Sequence, residues 1–211
     1  MNHKELEIII LNDIEWREKE LTTIKTLPLR RFLNQKEKDI LIKFAIPSIY
    51  SLWEGYIKFV FLNYIQEINS LNLSYYQLHE NLLTHAFDIK YPQFTTGIKN
   101  EFYKKREFFE NFLCTVNNKV QIDTKLPTHS NINWKVINEL LERFNMNALP
   151  KEPFDRQLSA LLEIRNRIAH GENAVQVSQN MVNEHANNVK NLMYEIMNIV
   201  IEACQIESYR K

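Results

Sequence analysis

Between Lys36 and Ile68 the chain carries apolar residues around most of a helix's circumference, and few architectures can enclose such a segment. Phe44, Ile46, Ile49, Trp53, Ile57, Val60, Phe61, Tyr64 and Ile65 recur at three- and four-residue spacing. A helix that is apolar on nearly every side must be surrounded by other helices, so this one is read as the central element. Pro47 lacks an N–H and crowds the preceding turn, so it should kink the helix or divide it in two. Only three glycines, Gly55, Gly97 and Gly171, occur in 211 residues. That scarcity argues against the many tight turns of an all-β fold. It also excludes phosphate-cradling loops and dinucleotide fingerprints, which need several glycines in one turn. The predicted class is all-α.

Residues 4–26 read as a first amphipathic helix, with Leu6, Ile9, Ile10, Ile14, Leu21 and Ile24 inward and Pro28 ending it. The polar, aromatic-rich region 69–97 carries a helical signal from Tyr76 to Ala86, then breaks near Pro92 and Gly97. A helix is expected from about Ile98 to Leu113, followed by an irregular connection over 115–132 that contains Pro127. Helices at 133–146 and 154–170 come next, with Pro150 and Pro153 between them, and a last helix spans about Ser178–Glu207. The whole reads as one domain, 1–211, whose insert of about 69–132 elaborates the bundle.

The charges near the end of the 154–170 helix sit where its periodicity calls for apolar groups. Its stripe runs Leu158, Leu161, Leu162, Ile168 and Ala169, and the position completing it is Arg165. Burying a guanidinium unpaired costs on the order of several kcal/mol, so something anionic must meet it: a carboxylate or a ligand phosphate. Asn166 and His170 are spaced i, i+4 and lie side by side on the adjoining face. Gly171 follows where a left-handed C-terminal cap falls, which puts His170 at the negative end of the helix dipole. A histidine there can take a proton from one oxygen and return it to another, and an arginine can hold a phosphate as charge builds. Asn166 can orient the imidazole or donate to the same phosphate. The residues alone leave two readings open: a structural ion pair beside a surface histidine, or metal-free cleavage of RNA by its own 2′-hydroxyl.

Arg165-Asn166-x-x-x-His170 resembles the R-x4–6-H signature of the HEPN superfamily, whose ribonuclease members usually carry a polar residue straight after the arginine. Tyr50-Ser51-Leu52-Trp53-Glu54-Gly55, and Ser130-Asn131-Ile132-Asn133 leading into Trp134–Phe144, are similar to a stand-alone bacterial HEPN-like nuclease branch. The resemblance implies an HEPN-like helical bundle with additional helices, acting as a dimeric, metal-independent endoribonuclease. Arg165, Asn166 and His170 would be its catalytic residues, RNA its substrate, and toxin–antitoxin or anti-phage defence its setting. A cognate antitoxin or defence-system protein would then be a further partner. The alternative from another class is a non-catalytic interaction or nucleotide-binding module that partners a second protein. Dimerisation suits the catalytic reading, because in-line cleavage benefits from two acid–base groups and each chain supplies one histidine.

Further candidates have bland counterparts. Glu54, beside Gly55, could balance Arg165 or orient His170; otherwise it forms an ordinary i, i+4 pair with Lys58. Lys104-Lys105-Arg106, interleaved with Tyr103, Phe108 and Phe109, could bind RNA backbone and stack a base, or could be a solvated helix face. Arg30, Arg31 and Lys36 carry the same ambiguity, and Arg167, expected to pair with Glu163, is structural or substrate-facing. His79 and His85 lie six apart, about 240° around a helix, so they cannot share a metal. His129, His185, Cys114 and Cys204 have no partners at ligand spacing, so no metal site and no cofactor is expected. Two cysteines without a leader pattern suggest free thiols in a reducing cytoplasm, and no apolar run approaches the ~20 residues a membrane span needs. With a formal net charge of zero, RNA would have to be met by local patches. Phe108, Phe109, Phe112 and Leu113, with the many-sided last helix, suggest a two-fold interface bringing the 165–170 segments face to face.

Overall fold

In the computed structural model, which describes residues 3–90, 101–128, 131–172 and 175–211, the long apolar segment is one helix of 36 residues, Gln35–Ser70. Asn34 starts it with a reciprocal cap: its side chain accepts the Glu37 N–H at 3.0 Å, and the Glu37 carboxylate accepts the Asn34 N–H at 2.7 Å. Pro47 does not divide the helix. Buried Ala45, Ile46, Ile49 and Tyr50 on either side hold it in the core, which outweighs the roughly 3 kcal/mol an internal proline costs. In chain order the elements are α1 (His3–Thr26), α2 (Gln35–Ser70), α3 (Glu80–Lys90), α4 (Glu101–Thr115), α5 (Trp134–Arg143), α6 (Phe154–Ala169) and α7 (Gln179–Gln205). Among the described residues, β-structure is limited to two isolated bridges, Ser74–Lys119 and Leu78–Arg210. The fold is all-α, as the periodicity requires.

Helices α1, α2 and α7 pack against one another, α6 lies along α2 and touches α5 and α7, and α3 packs on α5. Trp53, Tyr56, Ile57, Val60, Phe61, Tyr64 and Ile65 of α2 are all fully buried, so this helix is central as expected. Its first third is the exception, since Ile40 and Phe44 are largely exposed. α1 buries Leu6, Ile10, Ile14, Arg17 and Leu21, whereas Ile9, expected inward, is exposed. The several apolar sides of α7 are used internally, against α1 and α2.

A charge inside the α1 stripe was not anticipated. Arg17 donates to Asp13 through Nε and Nη2, at 2.6 and 3.2 Å, and through Nη1 to the Leu52 carbonyl of α2 at 2.9 Å. Gly55 makes the room: a Cβ there would lie 3.0 Å from Arg17 Nη1. The glycine of the Tyr50–Gly55 segment thus admits a buried guanidinium that pins α1 to α2.

Boundaries differ where local hydrogen bonding intervenes. The helix expected over 76–86 is a 3₁₀ turn at Tyr75–Gln77 followed by α3, because Gln77 caps back onto Ser74 and the His79 N–H donates to the Tyr209 carbonyl. α5 stops at Arg143, short of 146, where Asn145 turns left-handed at φ +53°. The start of the 98–113 helix, together with Pro92, Gly97, His129 and Ser130, lies outside the described residues. The 115–132 connection is irregular but pinned: Val120 N–H donates to Leu73, and the Asn69 amide both donates to and accepts from Ile122. No described helix is long and apolar enough to cross a membrane. Cys114 is exposed and Cys204 buried, neither in a disulfide, and burial pushes the Cys204 thiol up to about 12.

Candidate active site at the end of α6

Leu158, Leu161, Leu162 and Ile168 bury one side of α6, while Ala169, expected in the same stripe, is exposed. The helix closes as the Gly171 position predicts. Gly171 takes φ +77°, its N–H donates to the Ile168 carbonyl at 3.0 Å, and the Glu172 N–H donates to Arg167 at 3.0 Å. This is a Schellman cap. A Cβ at Gly171 would meet nothing within 4 Å, so glycine is needed for its dihedral and not for space.

α6 runs antiparallel to α2. Arg165 lies over the Tyr50 ring, and seven residues later the Glu172 carbonyl accepts from Lys43 Nζ, seven residues earlier on α2. That register brings the C-terminal end of α6 to the first third of α2. The half-buried Arg165 guanidinium sits 4.7 Å from the Tyr50 ring centroid and donates through Nη1 to Asn166 Oδ1 at 2.8 Å. No carboxylate pairs with it among the described residues. The expectation that an anion must meet this charge is therefore answered within the fold by a π face and an amide, which orient the cation without neutralising it. Its remaining N–H groups can serve an incoming anion.

Tyr50 is the hub that sequence reasoning passed over, although it stood inside the quoted segment, four residues before Glu54. Its hydroxyl accepts the Ile132 N–H at 2.8 Å and bonds the Glu54 carboxylate. Burial raises the phenol above its ordinary range, and the Glu54 charge adds to this; the Ile132 N–H and Arg165 oppose it. The phenol thus stays protonated, able to donate to Glu54 while accepting from Ile132. Trp53 Nε1 donates to the Ile132 carbonyl at 3.0 Å, so two α2 side chains grip the described end of the 130–133 segment. Asn133 then caps α5 by accepting the Val136 N–H. Described residues from all three segments that carry the superfamily resemblance, Arg165, Tyr50 and Ile132, meet at the Tyr50 side chain.

The remaining candidates divide. Glu54 pairs with Lys58 and reaches Arg165 only by way of the Tyr50 ring. The Asn166 amide faces Arg165, not the imidazole, and the exposed His170 ring makes no hydrogen bond among the described residues. Arg167 pairs with Glu172 at 2.8 Å, not with Glu163 as expected, because the Schellman turn folds Glu172 back over the last turn of α6. Lys104, Lys105 and Arg106 are not gathered with the motif. α4 joins the body where Val116 and Val120 bond the 73–76 turn and Ile122 bonds Asn69. Asn69 is about 29 Å along α2 from Tyr50 at the rise of an α-helix.

The family profile described as RiboL-PSP-HEPN matches residues 12–202. The chain belongs to the RiboL-PSP-HEPN family. This HEPN assignment covers the Arg17–Asp13 pair, the Tyr50 hub and the whole α6 motif. No curated protein and no solved structure is significantly similar to the chain. HEPN domains are often ribonucleases, which makes a nuclease-type or nucleotide-binding module the coarse functional class. A cavity of about 590 Å³ lies between α3 and α5, lined by Asn81, Trp134, Asn138, Glu139, Glu142 and Met146 among others, with none of the 165–170 residues in its wall. Within the motif, Arg165 is half-buried and His170 is exposed to solvent. Among the described residues no group of three or more His, Cys, Asp or Glu side chains is placed to hold a metal.

Proposed function

We propose that this protein is a metal-independent endoribonuclease that cleaves RNA by attack of the 2′-hydroxyl on the adjacent phosphate. One observation carries this: a half-buried Arg165 guanidinium, fixed by Tyr50 and Asn166 yet paired with no described carboxylate, stands one turn before an exposed histidine. Arg165 binds the scissile phosphate and stabilises the charge that grows on its non-bridging oxygens. His170 takes the 2′-hydroxyl proton or protonates the leaving 5′-oxygen, Asn166 positions Arg165, and Arg167 faces the substrate nearby. The products are a 2′,3′-cyclic phosphate and a 5′-hydroxyl end.

Two histidines serve the reaction better than one, one as base and one as acid, so the working unit is a homodimer with paired motifs. The interface expected from Phe108 to Leu113 does not suit this, since Phe108 and Phe112 are half-buried against Phe87 and α4 joins the body far along α2. The exposed Ile40 and Phe44 stripe, on the part of α2 that the C-terminal turn of α6 reaches through Lys43, is the better contact. A cytoplasmic toxin or anti-phage effector, restrained by a cognate partner, is the setting consistent with such an activity. The deciding experiment incubates the full chain with total RNA in excess EDTA, beside a His170→Ala control. Cleavage that persists in EDTA, disappears in the control and leaves cyclic phosphate ends is expected. A strict requirement for added divalent metal at the chemical step defeats the mechanism, and intact RNA with a tightly bound nucleotide favours the non-catalytic module.

A further inference from the structure

α4 turns one face to the protein and the other to solvent. Phe108 and Phe112 pack near Phe87 of α3, with ring centroids 5.8 and 5.3 Å away. Facing outward, Phe102 is 72% exposed and Tyr103 65%, and Phe109 and Leu113 continue the exposed stripe at helical spacing. The rings of Phe102 and Tyr103 meet edge to face at 5.8 Å, which leaves broad aromatic surface open. Lys104 follows, half-buried, then Lys105 and Arg106, both exposed. Arg106 pairs with Glu110 at 3.2 Å, but both side chains are mostly in water, so a phosphate can replace the carboxylate at little cost.

Two exposed rings and three cations in five consecutive residues meet the requirements of one ligand class. An unpaired nucleic-acid strand offers base faces to stack and phosphates to hold, whereas a duplex hides its bases. The chain's net charge is zero, so attraction to a polyanion must come from such a local run. We propose that α4 is an accessory platform for single-stranded RNA, with Phe102 and Tyr103 stacking bases and Lys104, Lys105 and Arg106 holding the backbone. This rests on the ribonuclease function proposed above. Because α4 is anchored near the Asn69 end of α2, it engages portions of a long strand remote from the scissile bond. It therefore selects for long unpaired substrates without taking part in cleavage.

The test measures fluorescence anisotropy of labelled single-stranded and duplex RNA with the full chain across a salt titration. Cleavage of a long strand and of a dinucleotide is followed in parallel. Tyr103→Ala should weaken single-strand binding by about tenfold and raise KM for the long strand, while Tyr103→Phe restores both. Lys104→Gln with Lys105→Gln should flatten the salt dependence by about one to two phosphate contacts. Dinucleotide cleavage should match the parent in every variant. Unchanged affinity and salt slope in the variants overturn the proposal. So does a change in oligomeric mass by light scattering with RNA affinity intact, which would make α4 a protein interface. If the parent chain cleaves nothing, the ribonuclease function fails, and the anisotropy data alone decide the platform.

Discussion

Gly55→Ala should destabilise this protein, although alanine is the better helix former, and the sign should reverse once Arg17 is gone. In a solvent-exposed helix the exchange gains about 1 kcal/mol. Here the new Cβ arrives 3.0 Å from Arg17 Nη1, a contact that forces the guanidinium back by a few tenths of an ångström. Arg17 has little freedom to yield, because Asp13 holds it at two points and Nη1 is already 2.9 Å from the Leu52 carbonyl. Losing that charge-assisted bond costs about 1.5–3 kcal/mol, so the net effect is a loss of about 1 kcal/mol. In an Asp13→Leu/Arg17→Met background, which replaces the buried pair by apolar groups, Gly55→Ala should instead stabilise by about 1 kcal/mol. The coupling of about 2 kcal/mol is readable from urea unfolding followed by helical circular dichroism. In a melt it corresponds to roughly 2–4 °C per kcal/mol at this chain length. If Gly55→Ala has the same effect in both backgrounds within about 0.5 kcal/mol, the glycine is not there to admit Arg17.

Arg165→Ala should reduce RNA cleavage by about 10² or more while the circular dichroism spectrum holds; full activity in a folded variant removes the phosphate role. Specific activity should fall on dilution, and most steeply in Phe44→Ser; a strictly monomeric protein that remains fully active in light-scattering fractions refutes the shared site. His85 is fully buried, and burial, reinforced by the Arg143 charge against weaker opposition from Asp88 and Asp123, lowers its pKa from 6.5 to about 4. Below about 6.5 the unfolded chain takes a proton there that the folded protein refuses, so stability should fall through the window from about 6.5 to 4 by on the order of 3 kcal/mol. His85→Phe should flatten that part of the stability–pH curve, and an unaltered slope would show that other groups set it.

Periodicity was a good guide wherever packing follows it. The long apolar segment and the first and last helices were legible because their burial pattern repeats with the helix, and the irregular 115–132 connection because no such repeat runs through it. Boundaries were lost where a side chain or a distant backbone decides them. Nothing near Tyr76 announces that Tyr209 will accept the His79 N–H, and nothing near Asn145 announces a left-handed residue. The α2 stripe misled in its first third, because Ile40 and Phe44 continue the apolar spacing beyond the point where neighbouring helices cover it. Sequence spacing reports which residues share a face, but not whether anything covers that face.

The two arginines that interrupt apolar stripes show how much more of the site could have been read. Arg17 follows Ile10 and Ile14 and precedes Leu21 on one face, as Arg165 follows Leu158 and Leu161 and precedes Ile168. Both are cations placed where a helix buries itself, and their surroundings along the chain differ in kind. Arg17 has Asp13 one turn back, and the structure closes that pair at 2.6 Å. Around Arg165 the positions three and four residues away on either side are Leu161, Leu162, Ile168 and Ala169, so its own helix offers no carboxylate. Its stabilisation has to come from across the bundle. It comes from the face of Tyr50, a ring locked by Ile132 and Glu54. A carboxylate would have cancelled the charge; the ring orients it and leaves it whole. An arginine held that way, one turn from an exposed histidine, is costly as a structural element and useful as an anion site, and that asymmetry is the physical basis for assigning chemistry to α6 and not to α1.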